Sequence, residues 1–206
     1  EKRIYMTSII ANGGNDTPSY PTVSVGVHKA RCVRVIDLGT QQNDYQGQIS
    51  WKRQVMLIWE VPSETDNKGE PLTISKFYTL SLNEKANLAN DLVSWRGRPF
   101  TETEKKAFDI SKVAGKPCSI NVILNQNGKP KVSTVMPIGK NDEIAQQFHP
   151  NMVFSITDFQ EKKMEVFNQL PEGIRNIILK SKELEGTETQ DLGDENNAQD
   201  LGDIPF

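Results

Sequence analysis

The sequence of 206 residues predicts a mainly β fold with minor α content. Two observations lead to this prediction. Several segments rich in β-branched residues are separated by clusters of Gly, Pro, Asn and Asp, as in successive strands. Apolar residues recur at helical spacing in only two places, one in the middle of the chain and one near its end. The length suits one large domain, or a small domain with appendages.

Three predicted strands follow an N-terminal arm of residues 1–22. They comprise residues 23–38, 51–61 and 72–82. Gly26 is a candidate bulge in the first strand. The polar segment 39–47 is predicted to form a turn, and Asp66-Asn67-Lys68-Gly69 is typical of a hairpin connection between the second and third strands. The domain is thus expected to open with three consecutive strands.

A helix is predicted after the third strand. Asn83 is its candidate N-cap and Gly97 its stop signal. The apolar positions between them follow helical spacing: Leu88, Leu92, Val93 and Trp95. In the connector that follows, Thr101 precedes Glu104 by three residues, which is the spacing of a helix N-cap.

Two further strands, 117–125 and 129–138, are joined by Asn127-Gly128, a strong hairpin signal. Three strands, one helix and a two-stranded hairpin give the element order of the OB-fold, a five-stranded Greek-key barrel. A second helical pattern over 154–182 is expected to pack on the barrel or on a neighbouring subunit. The predicted divisions are an arm (1–22), an OB-fold domain (23–150), a helical extension (151–183) and a disordered acidic tail (184–206).

Charge is distributed unevenly along the chain. The segment from Glu183 to Phe206 holds eight acidic and no basic residues, whereas the rest holds 24 basic against 19 acidic residues. The body therefore carries +5, although the whole chain carries -3. A basic body with an acidic tail is typical of a nucleic-acid binder with a separate interaction arm, and also of a domain with a solvated terminus.

Several function classes are disfavoured by the sequence. There is no run of 18 apolar residues and no leader pattern, so neither membrane spanning nor secretion is expected. Cys32 and Cys118 do not have metal-ligand spacing, and they are expected to be reduced thiols in a cytoplasm. Phosphate-binding glycine loops are absent, and neither His28 nor His149 has a catalytic partner nearby in sequence. No cofactor, metal site, catalytic residue or enzymatic activity is therefore predicted.

The tail ends in an acidic and apolar segment, Asp203-Ile204-Pro205-Phe206. Such a segment can dock on a partner, since Phe206 fills an apolar pocket and Pro205 limits the conformational freedom lost on binding. It resembles the C-terminal tip of bacterial single-stranded DNA-binding proteins, in which aspartates precede Ile-Pro-Phe. Here the acids are more dispersed, and only Asp203 directly precedes Ile204. The resemblance implies docking of replication and repair proteins.

A second resemblance covers residues 24–138. Segments 78–85, 91–101 and 115–118 look like a bacteriophage family of OB-fold single-stranded DNA-binding proteins. Together the two resemblances imply a phage-encoded protein in the cytoplasm of a bacterial host. It would coat single-stranded DNA during replication, recombination or repair, with host or phage enzymes as partners and a homo-oligomer as a possible assembly.

Binding single strands without reading sequence requires cations along the phosphates and aromatic faces under the bases. Strands two and three are the usual ligand face of an OB-fold, and they carry Trp51, Arg53, Lys76, Phe77 and Tyr78. Which face of these strands lines the groove is open, and at most one of Phe77 and Tyr78 is expected to stack on DNA. Further candidates, with purely structural roles as the alternative, are Arg96, Arg98, Lys129 and Lys131.

Three other functions remain open at this point: strand annealing in recombination, a metal-dependent nuclease, and an adaptor that binds only protein. The tail is also expected to act inward, with its acids occupying the basic groove until DNA displaces them. On that hypothesis, removal of residues 184–206 tightens binding at low salt and abolishes enzyme recruitment.

Overall fold

The computed structural model describes residues 21–185 of the chain. Within them the predicted mainly β class is confirmed, with six strands: β1 (Gly26–Tyr45), β2 (Gln48–Thr65), β3 (Pro71–Thr79), β4 (Pro117–Leu124), β5 (Pro130–Met136) and β6 (Met152–Phe154). The predictions for the first 20 residues of the arm, and for the tail from residue 186 with its docking residues Asp203 to Phe206, lie outside this part of the chain.

Five short helices accompany the strands over the same residues: α1 (Asn87–Arg96), α2 (Glu102–Ala107), α3 (Ile156–Gln160), α4 (Glu165–Asn168) and α5 (Glu172–Leu179). Two 3-10 helices, Ile110–Val113 and Lys182–Leu184, complete the secondary structure. Between residues 21 and 185 no helix has the length and apolarity needed to cross a membrane.

The strands form one open sheet in the order β3-β2-β1-β4-β5, with neighbours antiparallel, and β6 adds parallel to β1. β1 has three partners: its residues up to Arg31 pair with β4, those from Arg31 onward pair with β2, and Arg34 to Ile36 also pair with β6. Across residues 21–185 no strand pairing joins the outer strands β3 and β5. They meet instead through Lys76, whose Nζ donates to the carbonyl oxygen of Ser133 at 3.0 Å.

The pairing of β1 with β2 shifts register at two places, at Cys32/Arg34 and at Asp37/Gly39. The bulge predicted at Gly26 is wrong, since Gly26 lies in regular register opposite Val122. Bulges increase strand twist locally and let one strand serve two sheet neighbours.

The predicted turn at 39–47 is also wrong, because β1 and β2 remain paired as far as Tyr45 and Gln48. Only Gln46 and Gly47 form the turn, with φ of 53° and 79°, as a two-residue hairpin requires. β3 ends opposite Gln54, so residues 40–53 extend beyond it as a two-stranded ribbon. We call this segment the ribbon.

The first hydrophobic core lies between the inner face of the sheet and α1. Trp59 of β2 is fully buried there, with its ring centroid 6.4 Å from that of Trp95 on α1. α1 ends at Gly97 as predicted, in the left-handed conformation. Its N-cap is Ala86, so the predicted cap at Asn83 is wrong: the Asn83 side chain accepts from the Lys85 backbone N–H, before the helix begins.

The second core lies on the opposite face of β1 and β2 from α1. The C-terminal extension packs on this face of the sheet. Ile36, Met56 and Ile58 on this face contact apolar residues of β6 and α3 to α5. The predicted continuous helical pattern over 154–182 is broken into β6 and three short helices. Leu184, which was predicted to belong to the tail, is 5% exposed and belongs to this core.

Candidate nucleic-acid interface

The ribbon presents an aromatic side chain to solvent. Trp51 is 39% exposed and Ile49 is 61% exposed, and both lie on the same face of β2 as Arg53, because side chains alternate along a strand. The ammonium group of Lys182 lies 5.5 Å from the centroid of the Trp51 ring. The structure thus brings the predicted pair Trp51 and Arg53 together and adds Lys182, which the sequence did not single out.

Arg53 is held in place at the base of the ribbon. Its Nη2 lies 2.5 Å from Oδ2 of Asp37, and this hydrogen bond raises the pKa of Arg53. Asp37 also accepts from the backbone N–H of Gly39 within the bulge. The Arg53 side chain remains 43% exposed, so a fixed cation stays accessible beside Trp51.

The C-terminal extension supports the base of the ribbon. Glu183 accepts from the backbone N–H and from the hydroxyl of Thr40, each at 2.7 Å. The amide of Gln41 donates to the carbonyl oxygen of Ile177 at 2.9 Å. These contacts fix the ribbon to the body and place Lys182 next to Trp51.

Gly39 lies where the ribbon approaches the C-terminal extension most closely, next to Ser181 and Glu183. It has a φ of 71°, and a Cβ built there would lie 2.5 Å from the Cβ of Ser181. We expect Gly39→Ala to lower the free energy of unfolding by about 2 kcal/mol or more, because backbone strain and the clash act together. Gly47→Ala is the matched control: its φ is 79° but nothing lies within 4 Å, so only strain of about 1 kcal/mol applies. Urea unfolding measures both, and equal losses would contradict the proposed clash.

Phe77 is the second exposed aromatic residue, at 47% exposure. It pairs with Met56 and so lies on the opposite face of β2 from Trp51. Phe77 borders a polar cavity of about 340 Å³ that Gln54 and Lys85 also line. The structure therefore leaves the two predicted aromatic contacts on different faces, near the point where the ribbon leaves β3.

Tyr78 and Lys76 are held inside the body. Tyr78 is 3% exposed, and its hydroxyl donates to Oδ2 of Asp91 at 2.7 Å. Lys76 Nζ lies 2.7 Å from the same oxygen. Burial raises the pKa of Tyr78, and the Asp91 carboxylate raises it further. The prediction that Tyr78 contacts DNA is wrong because the ring faces the core, and the Lys76 charge is already used to join β3 to α1.

Arg96 and Arg98 both pair with Glu104, at 2.6 Å and 2.7 Å. The Arg96 guanidinium also stacks 4.3 Å above the Phe100 ring centroid. Glu104 completes the predicted capping box with Thr101, which is confirmed. These arginines therefore connect α1 to α2, and of the two predicted DNA contacts only Arg98 is substantially exposed, at 55%.

Lys129 and Lys131 lie on the β4–β5 hairpin, which is confirmed. Both side chains are exposed, and Lys131 stands opposite Ile123 in the register. They remain candidate contacts on an element separate from the ribbon.

Each of the two histidines pairs with a glutamate that is distant along the chain, and the sequence did not predict either pair. His149 Nδ1 lies 3.0 Å from Oε2 of Glu60, which is fully buried and also accepts from the backbone N–H of His149. His28 pairs with Glu64 at 3.3 Å.

Burial raises the pKa of Cys32 to about 12. No group of three His, Cys, Asp or Glu side chains in the described part of the chain is placed to hold a metal ion.

No protein-family model matches the chain, and a search of curated proteins finds no significant match. The physical features of the molecule are therefore the basis for assigning its function.

Proposed function

We propose that this protein binds single-stranded DNA without sequence specificity through the ribbon and the adjoining end of β3. In this proposal it protects DNA during phage replication, recombination or repair and recruits partner enzymes through its acidic tail. The observation that carries the proposal is the exposed Trp51 ring beside the fixed Arg53 guanidinium and the Lys182 ammonium.

The proposal includes an OB-fold barrel. The strand order β3-β2-β1-β4-β5, with α1 between β3 and β4 in sequence, is the order expected when such a barrel opens between its third and fifth strands. The Lys76 contact with Ser133 is where those two strands approach. The division of β1 between β2 and β4 supports the same interpretation.

The chemistry of the ribbon suits unpaired bases. Every base has a π face, so stacking on Trp51 tolerates any sequence and contributes about 1–3 kcal/mol per base. Lys52 is exposed on the other face of β2, so both faces of the strand that carries Trp51 offer a cation to phosphates. Phe77 offers a second stacking surface where the DNA strand would leave the ribbon.

The experiment that tests DNA binding is a titration with labelled oligothymidine at several salt concentrations. A protein that neutralises Z phosphates of a single strand shows a slope of log K against log salt of about -0.7Z. Lys52→Ala removes one contact, so the slope should flatten by about 0.7. Lys106→Ala on α2 is the matched control and should leave the slope unchanged. A slope near zero for the wild-type protein would reject the proposal.

The acidic tail is proposed to reduce DNA affinity at low salt. Residues 186–206 carry six acidic and no basic side chains. Deletion from residue 186 leaves the buried Leu184 in place and is expected to tighten oligothymidine binding at low salt, because repulsion from the phosphates is removed. The effect should vanish in about 1 M salt, where the Debye length is about 3 Å. Unchanged affinity at low salt would contradict this role of the tail.

A further inference from the structure

An apolar pocket of about 390 Å³ lies at the C-terminal end of α1. Leu92 and Trp95 of α1 form one side, and Phe108 and Ile138 belong to its other walls. The pocket lies outside the proposed DNA interface, and Leu92, Trp95 and Phe108 extend the first hydrophobic core to its walls. A pocket of this size accommodates an aromatic and an aliphatic side chain together.

Two walls of the pocket are held by contacts within the body. Trp95 is 9% exposed, and its Nε1 donates to the carbonyl oxygen of Pro117 at 2.9 Å. The Phe108 ring packs edge-on against Phe100 with centroids 5.0 Å apart. A ligand would therefore meet a preformed surface and would order few side chains on binding.

Basic groups surround this apolar surface: Arg96, Lys112 and Lys116. Lys112 and Lys116 are exposed and form no ion pair with any residue between 21 and 185. Arg96 pairs with Glu104 through Nη2, but its Nη1 is buried without a hydrogen-bond partner among the same residues. The Arg96 guanidinium adds to the positive charge around the pocket, which favours an acidic ligand. The pocket thus selects a segment that is both apolar and acidic.

We infer that the occupant of this pocket is the chain's own segment from Asp200 to Phe206. Ile204 and Phe206 supply the apolar side chains, and Asp200 and Asp203 supply charges complementary to the two lysines. The described chain stops at Glu185, and residues 186–206 can extend to about 70 Å. The body they must cross has a radius of gyration of only about 15 Å.

This site is separate from the proposed DNA interface. The cavity beside Phe77 is lined by Ala86 and Asn87 at the start of α1, whereas the apolar pocket lies at its end, about 15 Å along the helix. Docking of the segment would leave the ribbon free. If the tail recruits enzymes, as the proposed function holds, docking would withhold Phe206 from them while DNA binding continues.

Photo-cross-linking in the full chain tests the inference. Phe206→p-benzoylphenylalanine is irradiated in dilute protein, and the cross-linked peptides are mapped by mass spectrometry. Cross-links within one chain are expected at Trp95, Phe108 and Ile138. Lys112→Glu combined with Lys116→Glu should reduce their yield about tenfold, whereas the same change at Lys68 and Lys162 should not.

A second variant leaves the body untouched: Asp200→Lys with Asp203→Lys should also reduce the yield. Cross-links at the ribbon, spread over the surface, or formed only between two copies would overturn the inference. Oligothymidine affinity is measured on the same samples and is expected to be unaffected by Phe206→p-benzoylphenylalanine. Loss of DNA binding with intact cross-links would reject the proposed function alone, and the reverse result would reject this inference alone.

Discussion

Trp51→Ala is expected to weaken oligothymidine binding by about 5- to 150-fold, because one stacked base is lost at about 1–3 kcal/mol. The ring is 39% exposed and packs against the side chain of Lys182 outside the two cores. The unfolding midpoint should therefore change little. Fluorescence anisotropy of labelled oligothymidine measures the affinity, and thermal unfolding checks the fold.

Trp51→Phe is the matched variant, because it keeps an aromatic face and should retain most of the affinity. Phe77→Ala tests the second surface and should also weaken binding. If Trp51→Ala bound oligothymidine as tightly as the wild-type protein, the ribbon would not be the interface.

Asp91→Ala is expected to lower the free energy of unfolding by about 3–5 kcal/mol, because the buried Tyr78 hydroxyl and the partly buried Lys76 ammonium lose the carboxylate that they share. Lys76 Nζ and the Tyr78 hydroxyl both lie 2.7 Å from the same Asp91 oxygen. The Lys76 and Asp91 side chains are 20% and 12% exposed, so solvent cannot replace the lost contacts fully. Urea unfolding followed by circular dichroism measures the loss.

Two further variants provide comparisons for the unfolding free energy of Asp91→Ala. Tyr78→Phe removes one hydrogen bond and should cost about 1 kcal/mol. Glu102→Ala breaks an ion pair with Lys105 in which Glu102 is 83% exposed, and it should cost less than about 1 kcal/mol. Asp91→Ala should also weaken DNA binding, because the hydrogen bonds of Asp91 to Lys76 and Tyr78 fix the part of β3 that carries Phe77. If Asp91→Ala lowered the free energy of unfolding no more than Glu102→Ala, the contacts of Asp91 with Lys76 and Tyr78 would not stabilise the fold.

Local sequence signals predicted the elements whose stability is local. Gly97 ends α1 in the left-handed conformation, and Thr101 and Glu104 form their capping box. Asn127-Gly128 lies between β4 and β5, with Gly128 at a φ of 74°. In each case the residue type satisfies a backbone requirement that does not depend on distant contacts.

Most of the ribbon was missed, because residues 40–48 are almost all polar and show no apolar alternation; only residues 51–53 were included in the predicted second strand. Its strands exist because β1 and β2 satisfy each other's backbone groups, which is a pairing between distant residues. The C-terminal extension was misjudged for a different reason. Ser155 caps α3 and Pro171 precedes α5, and these two signals, present in the sequence, would have divided the predicted helical pattern.

The candidate site was predicted in part. Alternation correctly separated Phe77 from Tyr78 and grouped Lys76 with Tyr78 on one face. It did not tell which face is buried, because that depends on α1 and on Asp91, which follows Lys76 by 15 residues. The role of Lys182 beside Trp51 depends on contacts between the extension and the ribbon. No local pattern encodes such contacts.

Photo-cross-linking of the whole chain to an oligonucleotide containing 5-iodouracil locates bound DNA on the protein. The iodinated base reacts with aromatic side chains on which it stacks. We expect cross-links at Trp51 and Phe77. Cross-links confined to the β4–β5 hairpin, or none at low salt, would contradict it.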